Sequence, residues 1–177
     1  MTMETKKIFE KHKSEILSEW TEAVFSTYPF ETTGFLRTKH DPFTNPVSAM
    51  THEAAGILYD ALSGDDTDVK TVKQAIERFV KLRAVQDFTP SQGLGVFFLM
   101  KPLLRKHILP EMAKGADDVP ACYLELESRV DSLTLLAFDI YTKARETLAD
   151  IRIKEIRNQY AQLKRWAQQL NESSPLN

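Results

Sequence analysis

Residues 149–170 of this 177-residue chain read ADIRIKEIRNQYAQLKRWAQQL, and this stretch is the clearest indication of a helical fold. Its apolar side chains recur at alternating steps of four and three residues, which is the heptad pattern of a helix that pairs with another helix. The length of the pattern suits a short coiled coil. The seam positions are Ala149, Ile153, Ile156, Tyr160, Leu163, Ala167 and Leu170.

The helix that carries this seam extends well toward the N-terminus. Its start signal is the segment 117–120, Asp-Asp-Val-Pro, and no helix-breaking sequence follows before residues 171–175, Asn-Glu-Ser-Ser-Pro. We therefore predict one helix of roughly 50 residues, which is too long to lie wholly inside a compact domain. Before residue 149 its apolar residues occupy several faces, as in a helix packed in a core. We predict a domain at 1–148, a heptad extension at 149–171 and a disordered tail at 172–177.

Upstream, residues 89–92 form the strongest helix start in the chain. Thr89 is placed to cap the helix, Pro90 occupies its first position, and Gln92 completes the spacing of a capping box. The helix that follows is apolar nearly all round, which predicts a central position in the core. We expect Pro102 to kink this segment and Pro110 to end it.

Helices also account for the first half of the chain, near residues 4–26, 30–38, 46–62 and 68–86. Asn45 is a natural N-cap for the third of these helices, with Pro46 at its first position. In the second helix, Phe35 and Leu36 are expected to point inward. Together the helices predict an all-α protein. The predicted apolar face of the first helix comprises Ile8, His12, Ile16, Trp20 and Val24.

Composition and charge exclude several classes of function. With 23 basic and 25 acidic residues the formal charge is −2, so no basic face suited to nucleic acid is expected. The single cysteine, Cys122, cannot form an intramolecular disulfide, which favours a reducing compartment. The N-terminus carries no signal-peptide pattern, and the most apolar run, Leu94 to Met100, is too short to span a bilayer. We expect a soluble, cytoplasmic protein without an integral membrane segment.

No catalytic or metal-binding pattern stands out, so we predict no enzymatic activity, no cofactor and no metal. The segment 52–56, His-Glu-Ala-Ala-Gly, lacks the second histidine of the helical zinc-protease motif, and no two histidines share a helix face. His107 is the one candidate for a haem or metal ligand, and its alternative is a helix-end histidine favoured by the helix dipole. Gly93 and Gly95 do not form a dinucleotide-binding loop, because the third glycine and the preceding strand of that motif are missing. We predict instead that these glycines allow another helix to approach closely.

Two polar segments are candidate contacts for a ligand or a partner. One surrounds a predicted helix–helix corner, where Arg83 and Asp87 lie one turn apart and can pair. The other is a proline-restrained loop at residues 41–46. For both segments the alternative is a structural role in capping and corner building. The candidate residues are Asp41, Asn45, Arg83, Gln86, Asp87, Thr89 and Gln92.

The flanks of the seam are basic. In residues 143–166, seven basic and three acidic residues leave a formal charge of +4. Such flanks are typical of a solvated coiled-coil face, or of a docking surface for an acidic partner or a membrane face.

Two segments resemble a known family. Residues 83–92, RAVQDFTPSQ, together with residues 41–47, DPFTNPV, look like the N-terminal domain of bacterial RsbR/RsbRD-type proteins, the RsbT co-antagonists of the stressosome. The resemblance covers roughly residues 5–150. It implies a globin-like helical fold without haem and a dimer whose last helix projects as a signalling rod. In full-length relatives that rod joins a STAS domain, which a switch kinase phosphorylates.

This chain ends at Asn177, so the expectation is a stand-alone module without the STAS domain and its phospho-acceptors. The resemblance implies a non-enzymatic sensor or adaptor in stress signalling, which dimerises and contacts an unknown regulatory protein. The alternative is a globin-like protein that binds a small molecule or haem, with His107 or His52 as a ligand. We expect the dimer interface to comprise Ile153, Ile156, Tyr160, Leu163 and Leu170.

Overall fold

The computed structural model describes residues 3–38, 43–64, 67–86, 88–114 and 119–173. Within these ranges the chain forms helices and turns without a strand, which confirms the predicted all-α fold. No helix in the described ranges is both long enough and apolar enough to cross a membrane. The helices are α1 (Met3–Phe25), α2 (Phe30–Thr38), α3 (Pro46–Ser63), α4 (Val69–Val85), α5 (Pro90–Phe98), α6 (Met100–His107), α7 (Leu109–Met112) and α8 (Val119–Ser173).

The chain divides into two compact units, Met1–Tyr141 and Thr142–Asn177. Helix α8 is the long C-terminal helix that the sequence predicts, and it contributes residues to both units. It reaches Ser173 and therefore includes the first two residues of the predicted tail. The rest of that tail lies outside the described residues.

The predicted apolar face of α1 is buried in the core of the first unit. Ile16, Trp20 and Val24 are fully buried, and the two N-terminal members of the face are half-buried. Complete burial of a large apolar side chain contributes about 1.5–3 kcal/mol. The indole Nε1 of Trp20 donates a hydrogen bond of 2.8 Å to the carbonyl oxygen of Val96, so its polar atom is satisfied inside the core. Helix α1 is therefore anchored to α5 by packing and by one buried hydrogen bond.

The apolar segment after Pro90 breaks one turn before Pro102, which is where the kink predicted from this proline would fall. Helix α5 ends at Phe98 and α6 begins at Met100, so the break precedes Pro102. A proline ring opposes the carbonyl four residues earlier, which for Pro102 is that of Phe98. The prediction that Pro110 ends the segment is wrong, because Pro110 lies in the first turn of α7, where proline is tolerated. The prediction that Phe35 points inward is also wrong, since 43% of it is exposed while Leu36 is buried.

Gly93 marks a close approach between α5 and α8. A Cβ atom at this position would lie 2.8 Å from Cε2 of Tyr141, closer than the roughly 3.5–4.0 Å at which carbon atoms pack. Tyr141 is buried, and its hydroxyl donates a 2.6 Å hydrogen bond to the carbonyl oxygen of Phe88. The predicted close approach is confirmed at Gly93. It is wrong at Gly95, where a Cβ atom would meet nothing within 4 Å.

This contrast predicts opposite effects for two identical substitutions. We expect Gly93→Ala to lower the free energy of unfolding by about 1–3 kcal/mol, because the methyl group must displace the buried ring of Tyr141. The matched control Gly95→Ala is expected to be neutral or to raise stability by up to ~1 kcal/mol, since alanine is the better helix former. Urea unfolding followed by circular dichroism measures both. Equal effects of the two substitutions would show that α5 and α8 do not pack tightly at Gly93.

Candidate functional site

The corner between α4 and α5 is built around the guanidinium group of Arg83, which is fully buried. Its Nε donates a 3.0 Å hydrogen bond to the carbonyl oxygen of Gly93, and Nη2 donates to the carbonyl oxygen of Gln92 at 3.0 Å. Nη2 also donates to Oγ1 of Thr27, just after α1, at 3.0 Å. One side chain therefore ties α4 to the start of α5 and to the chain segment that follows α1.

Three aromatic rings surround the same guanidinium. Its Cζ lies 4.2 Å from the ring centroid of Phe88, 5.5 Å from that of Tyr28 and 5.7 Å from that of Phe79. Burial lowers the pKa of Arg83 below its ordinary value, because removal from water disfavours the charged form. Among the described residues, no group accepts a hydrogen bond from Nη1. Asp87, the predicted ion-pair partner, lies outside the described residues.

The remaining polar residues form the rim of this corner. The hydroxyl of Tyr28 donates a 2.8 Å hydrogen bond to Oε1 of Gln86, and burial raises the pKa of Tyr28. The predicted capping box is confirmed: the backbone N–H of Gln92 donates to Oγ1 of Thr89, and the backbone N–H of Thr89 donates to Oε1 of Gln92. Thr89 and Gln92 are exposed, whereas Arg83 is not. The fold thus brings four predicted residues together, with only the rim open to a partner.

Asn45 lies at a different place, in the connection between α2 and α3. Its Oδ1 accepts a 3.1 Å hydrogen bond from the backbone N–H of Ser48, which confirms the predicted N-cap. Its Nδ2 donates to the carbonyl oxygens of Phe35 and Leu36, at 3.1 and 3.3 Å. These contacts bury Asn45 and join the end of α2 to the start of α3. Asp41, the other candidate in this connection, lies outside the described residues.

The second unit presents an exposed apolar surface on α8, here called the seam surface. Every described residue from 151 to 170 is exposed. The seam residues retain between 46% and 71% of their surface in solvent. At about 1.5 Å per residue, the seam surface extends for roughly 26 Å along the helix. It comprises the five predicted interface residues Ile153, Ile156, Tyr160, Leu163 and Leu170.

Trp166 is an exposed aromatic residue that the heptad pattern leaves out. Its side chain is 66% exposed, and together with Leu163, Gln159 and Gln162 it lines a shallow groove on the helix surface. Trp166 follows Leu163 by one turn, so a search for all helical neighbours of the seam, rather than for strict heptad positions, would have found it. The indole widens the apolar surface on one side of the seam.

A small cavity lies in the core of the first unit, with Trp20, Leu58 and Phe97 among its lining residues. Its volume is about 10 Å³. That is room for one water at most, whereas pockets that bind small molecules measure about 300–1,000 Å³. Neither His52 nor His107 lines it. The alternative of a small-molecule or haem binder therefore finds no support in this cavity.

Comparison with known proteins adds one match. A family model described as the RsbT co-antagonist protein rsbRD N-terminal domain matches residues 14–156. No curated protein and no solved structure matches the chain. The matched range contains the α4–α5 corner and the first two residues of the seam surface, and it ends before Tyr160.

Proposed function

The chain belongs to the RsbT co-antagonist protein rsbRD N-terminal domain family, and from that premise we propose that it is a non-enzymatic sensor or adaptor module that acts through dimerisation. Members of this family are regulatory sensor domains rather than a known class of enzyme. The helical unit Met1–Tyr141 would receive the signal, and α8 would transmit it by contact with a second helix. In a stressosome-type protein, that contact would pass the signal to a regulatory partner.

The observation that carries this proposal is the exposed seam surface of α8. Soluble proteins rarely leave a contiguous apolar surface in water unless it binds something. Most helices in proteins also gain their stability from packing of an apolar face rather than from helix propensity. From residue 151 to 170 all described residues are exposed. A second helix placed on the seam surface would bury its apolar side chains.

The heptad positions favour a parallel pair of helices. The spacing assigns Ile153 and Tyr160 to position a, and Ile156, Leu163 and Leu170 to position d. A β-branched residue at a combined with leucine at d favours two strands in parallel coiled coils. Ile153, Leu163 and Leu170 follow this preference, whereas Tyr160 and Ala167 at position a and Ile156 at position d depart from it. We infer a homodimer in which α8 of one protomer lies beside α8 of its partner.

The flanking charges tune the affinity of this dimer. In a parallel pair, the side chain at position g of one helix faces position e of the following heptad in the other helix. One such pair is Arg152 at position g and Arg157 at position e, which places a like-charged contact on each side of the dimer. Such repulsion weakens self-association, and salt screens it.

Reversal of one of these charges should therefore tighten the dimer. We expect Arg152→Glu to strengthen association by about 1–2 kcal/mol, or roughly 5- to 30-fold in Kd, because two repulsive contacts become attractive. Sedimentation equilibrium at low and high salt measures the effect. The wild type should associate more tightly as salt rises, and the variant less tightly.

Lys154→Glu provides the matched control. It changes the net charge by the same amount at position b, which points away from the partner helix in a parallel pair. We expect it to change Kd much less than Arg152→Glu does. Equal effects of the two substitutions would contradict the parallel arrangement, since net charge alone would then explain both.

Native mass spectrometry of the chain purified without added ligand tests the proposed function as a whole. The expected result is a species at twice the chain mass with no added organic molecule. A monomer that carries a reproducible extra mass would contradict the proposal and favour the binding of a small molecule instead.

A further inference from the structure

His12 on α1 and His107 on α6 both lie close to the carboxylate of Glu15, at the contact between the two helices. Nδ1 of His12 lies 3.0 Å from Oε2 of Glu15, and Nδ1 of His107 lies 3.4 Å from the same oxygen. The ring centroids of the two histidines are 5.7 Å apart. One ligand atom from each of the three residues lies within 4.8 Å of the other two. Sequence analysis did not identify this cluster, because His107 is distant in the chain from His12 and Glu15.

These separations are close to those that a transition-metal ion imposes on its ligands. Zinc binds nitrogen and oxygen at about 2.0–2.1 Å with tetrahedral angles, so its ligand atoms lie about 3.4 Å from one another. The two distances to Glu15, 3.0 and 3.4 Å, are close to this value, and the two imidazole nitrogens lie within 4.8 Å of each other. Two imidazoles and one carboxylate are a ligand set that zinc uses where water takes the fourth position.

A second carboxylate orients one of the imidazoles. Nε2 of His107 lies 2.9 Å from Oε1 of Glu19, on the opposite side of the ring from Glu15. Histidines that bind metals through one nitrogen commonly donate the other N–H to a carboxylate, which fixes the tautomer and leaves the first nitrogen free to coordinate. Lys106 holds Glu19 in turn, with its Nζ at 2.7 Å from the same oxygen.

The accessibility of the cluster also suits a cation. The side chains of His12 and His107 are only 15% and 12% exposed, while Glu15 is 61% exposed and leaves the cluster open to solvent. Nε2 of His12 is buried and has no hydrogen-bond partner among the described residues, so Nδ1, which faces Glu15, makes the polar contacts of this ring.

We propose that His12, Glu15 and His107 bind one Zn²⁺ ion, with Glu19 as the carboxylate that orients His107. The ion would cross-link α1 to α6 on the surface of the first unit. This proposal concerns a site remote in sequence from the seam surface and does not depend on the proposed dimer.

Titration of the full, tag-free chain with Zn²⁺, followed by isothermal titration calorimetry, tests the site. We expect one ion per chain, a higher melting temperature with the metal, and visible d–d absorption when Co²⁺ replaces Zn²⁺. His12→Gln and His107→Gln should each weaken binding by more than about 100-fold, and Glu19→Gln by about 10- to 100-fold. His52→Gln, on the exposed face of α3, is the matched control and should leave Kd unchanged.

Circular dichroism in the presence of a chelator establishes that each variant is folded. The proposal is overturned if the tag-free wild type does not bind Zn²⁺, or if it binds the ion equally well after substitution of His12 and His107. Because the oligomeric state can be measured with the chelator present, loss of the zinc site and loss of the proposed dimer give separate results.

Discussion

Replacement of Arg83 by alanine is expected to lower the free energy of unfolding by about 3 kcal/mol, because it leaves a cavity in the core and removes three hydrogen bonds. For a chain of this size, that loss corresponds to a fall in melting temperature of roughly 6–12 °C. The cavity would open between Tyr28, Phe79 and Phe88, whose rings now pack against the guanidinium. Thermal unfolding and urea unfolding, each followed by circular dichroism, measure the change.

Arg83→Met separates packing from hydrogen bonding. Methionine retains most of the volume of the side chain and removes the buried charge, whose desolvation opposes folding. The variant should therefore be destabilised by only about 1 kcal/mol if packing dominates. Arg83→Lys should be worse than methionine, since an ammonium group cannot bond the two carbonyl oxygens and Thr27 in the same planar geometry.

The outcome bears on the role of the α4–α5 corner. If Arg83→Ala loses the expected 3 kcal/mol or so of unfolding free energy, the buried guanidinium has a structural role. Thr89 and Gln92 on the exposed rim would then be the remaining candidates for partner contact. If the free energy of unfolding of Arg83→Ala lies within about 0.5 kcal/mol of the wild-type value, the guanidinium is not needed for the fold. In that case, recognition of a ligand would become the better explanation of this residue.

Sequence alone predicts the features of this fold that depend on neighbours within one helical turn. The N-cap at Asn45 and the capping box of Thr89 and Gln92 are local hydrogen-bond patterns, and the structure confirms both. The same holds for the apolar face of α1, because a step of four residues returns to the same side of a helix. These signals require no knowledge of the rest of the chain.

Features that depend on contacts between distant segments are not predicted. Nothing local distinguishes Gly93, which Tyr141 touches, from Gly95, which is open. The burial of Arg83 depends on Thr27 and Phe88, which reach it only once the helices have packed. The meeting of His12 with His107 is of the same kind, since helical spacing describes neighbours on one helix and not pairs brought together from two.

The seam surface lies between these cases. Its heptad spacing is local and could be predicted, and its exposure agrees with a surface that needs a partner. The identity of that partner is not encoded in the spacing, because a seam of isoleucine and leucine fits a copy of itself or another helix. The basic flanks at Arg152 and Arg157 are the part of the sequence that bears on this choice, since they weaken self-pairing and would favour acidic flanks on a different helix.

Ile156→Lys is therefore the decisive substitution for the dimer. In each protomer, it replaces an apolar contact worth about 1.5–3 kcal/mol, so the dimer should lose about 3–6 kcal/mol. This loss would raise Kd by at least about 100-fold, and it also places two like charges opposite each other. Sedimentation equilibrium should show a monomer at concentrations where the wild type is dimeric. Because Ile156 is 64% exposed, the helical unit Met1–Tyr141 should remain folded.

Ile151→Lys is the matched control, because it introduces the same side chain at position f, on the side of the helix away from the seam. Ile151 is also exposed, at 47%, so the two variants differ in the face they alter rather than in their chemistry. If Ile151→Lys remains dimeric while Ile156→Lys dissociates, the seam surface is the interface. Circular dichroism adds a second criterion, because the dissociated variant should lose helicity in residues 151–170 when the second helix no longer packs on the seam surface. A dimer that survives Ile156→Lys would exclude the seam as the contact, and the exposed apolar residues 153–170 would then have to be assigned to a different protein.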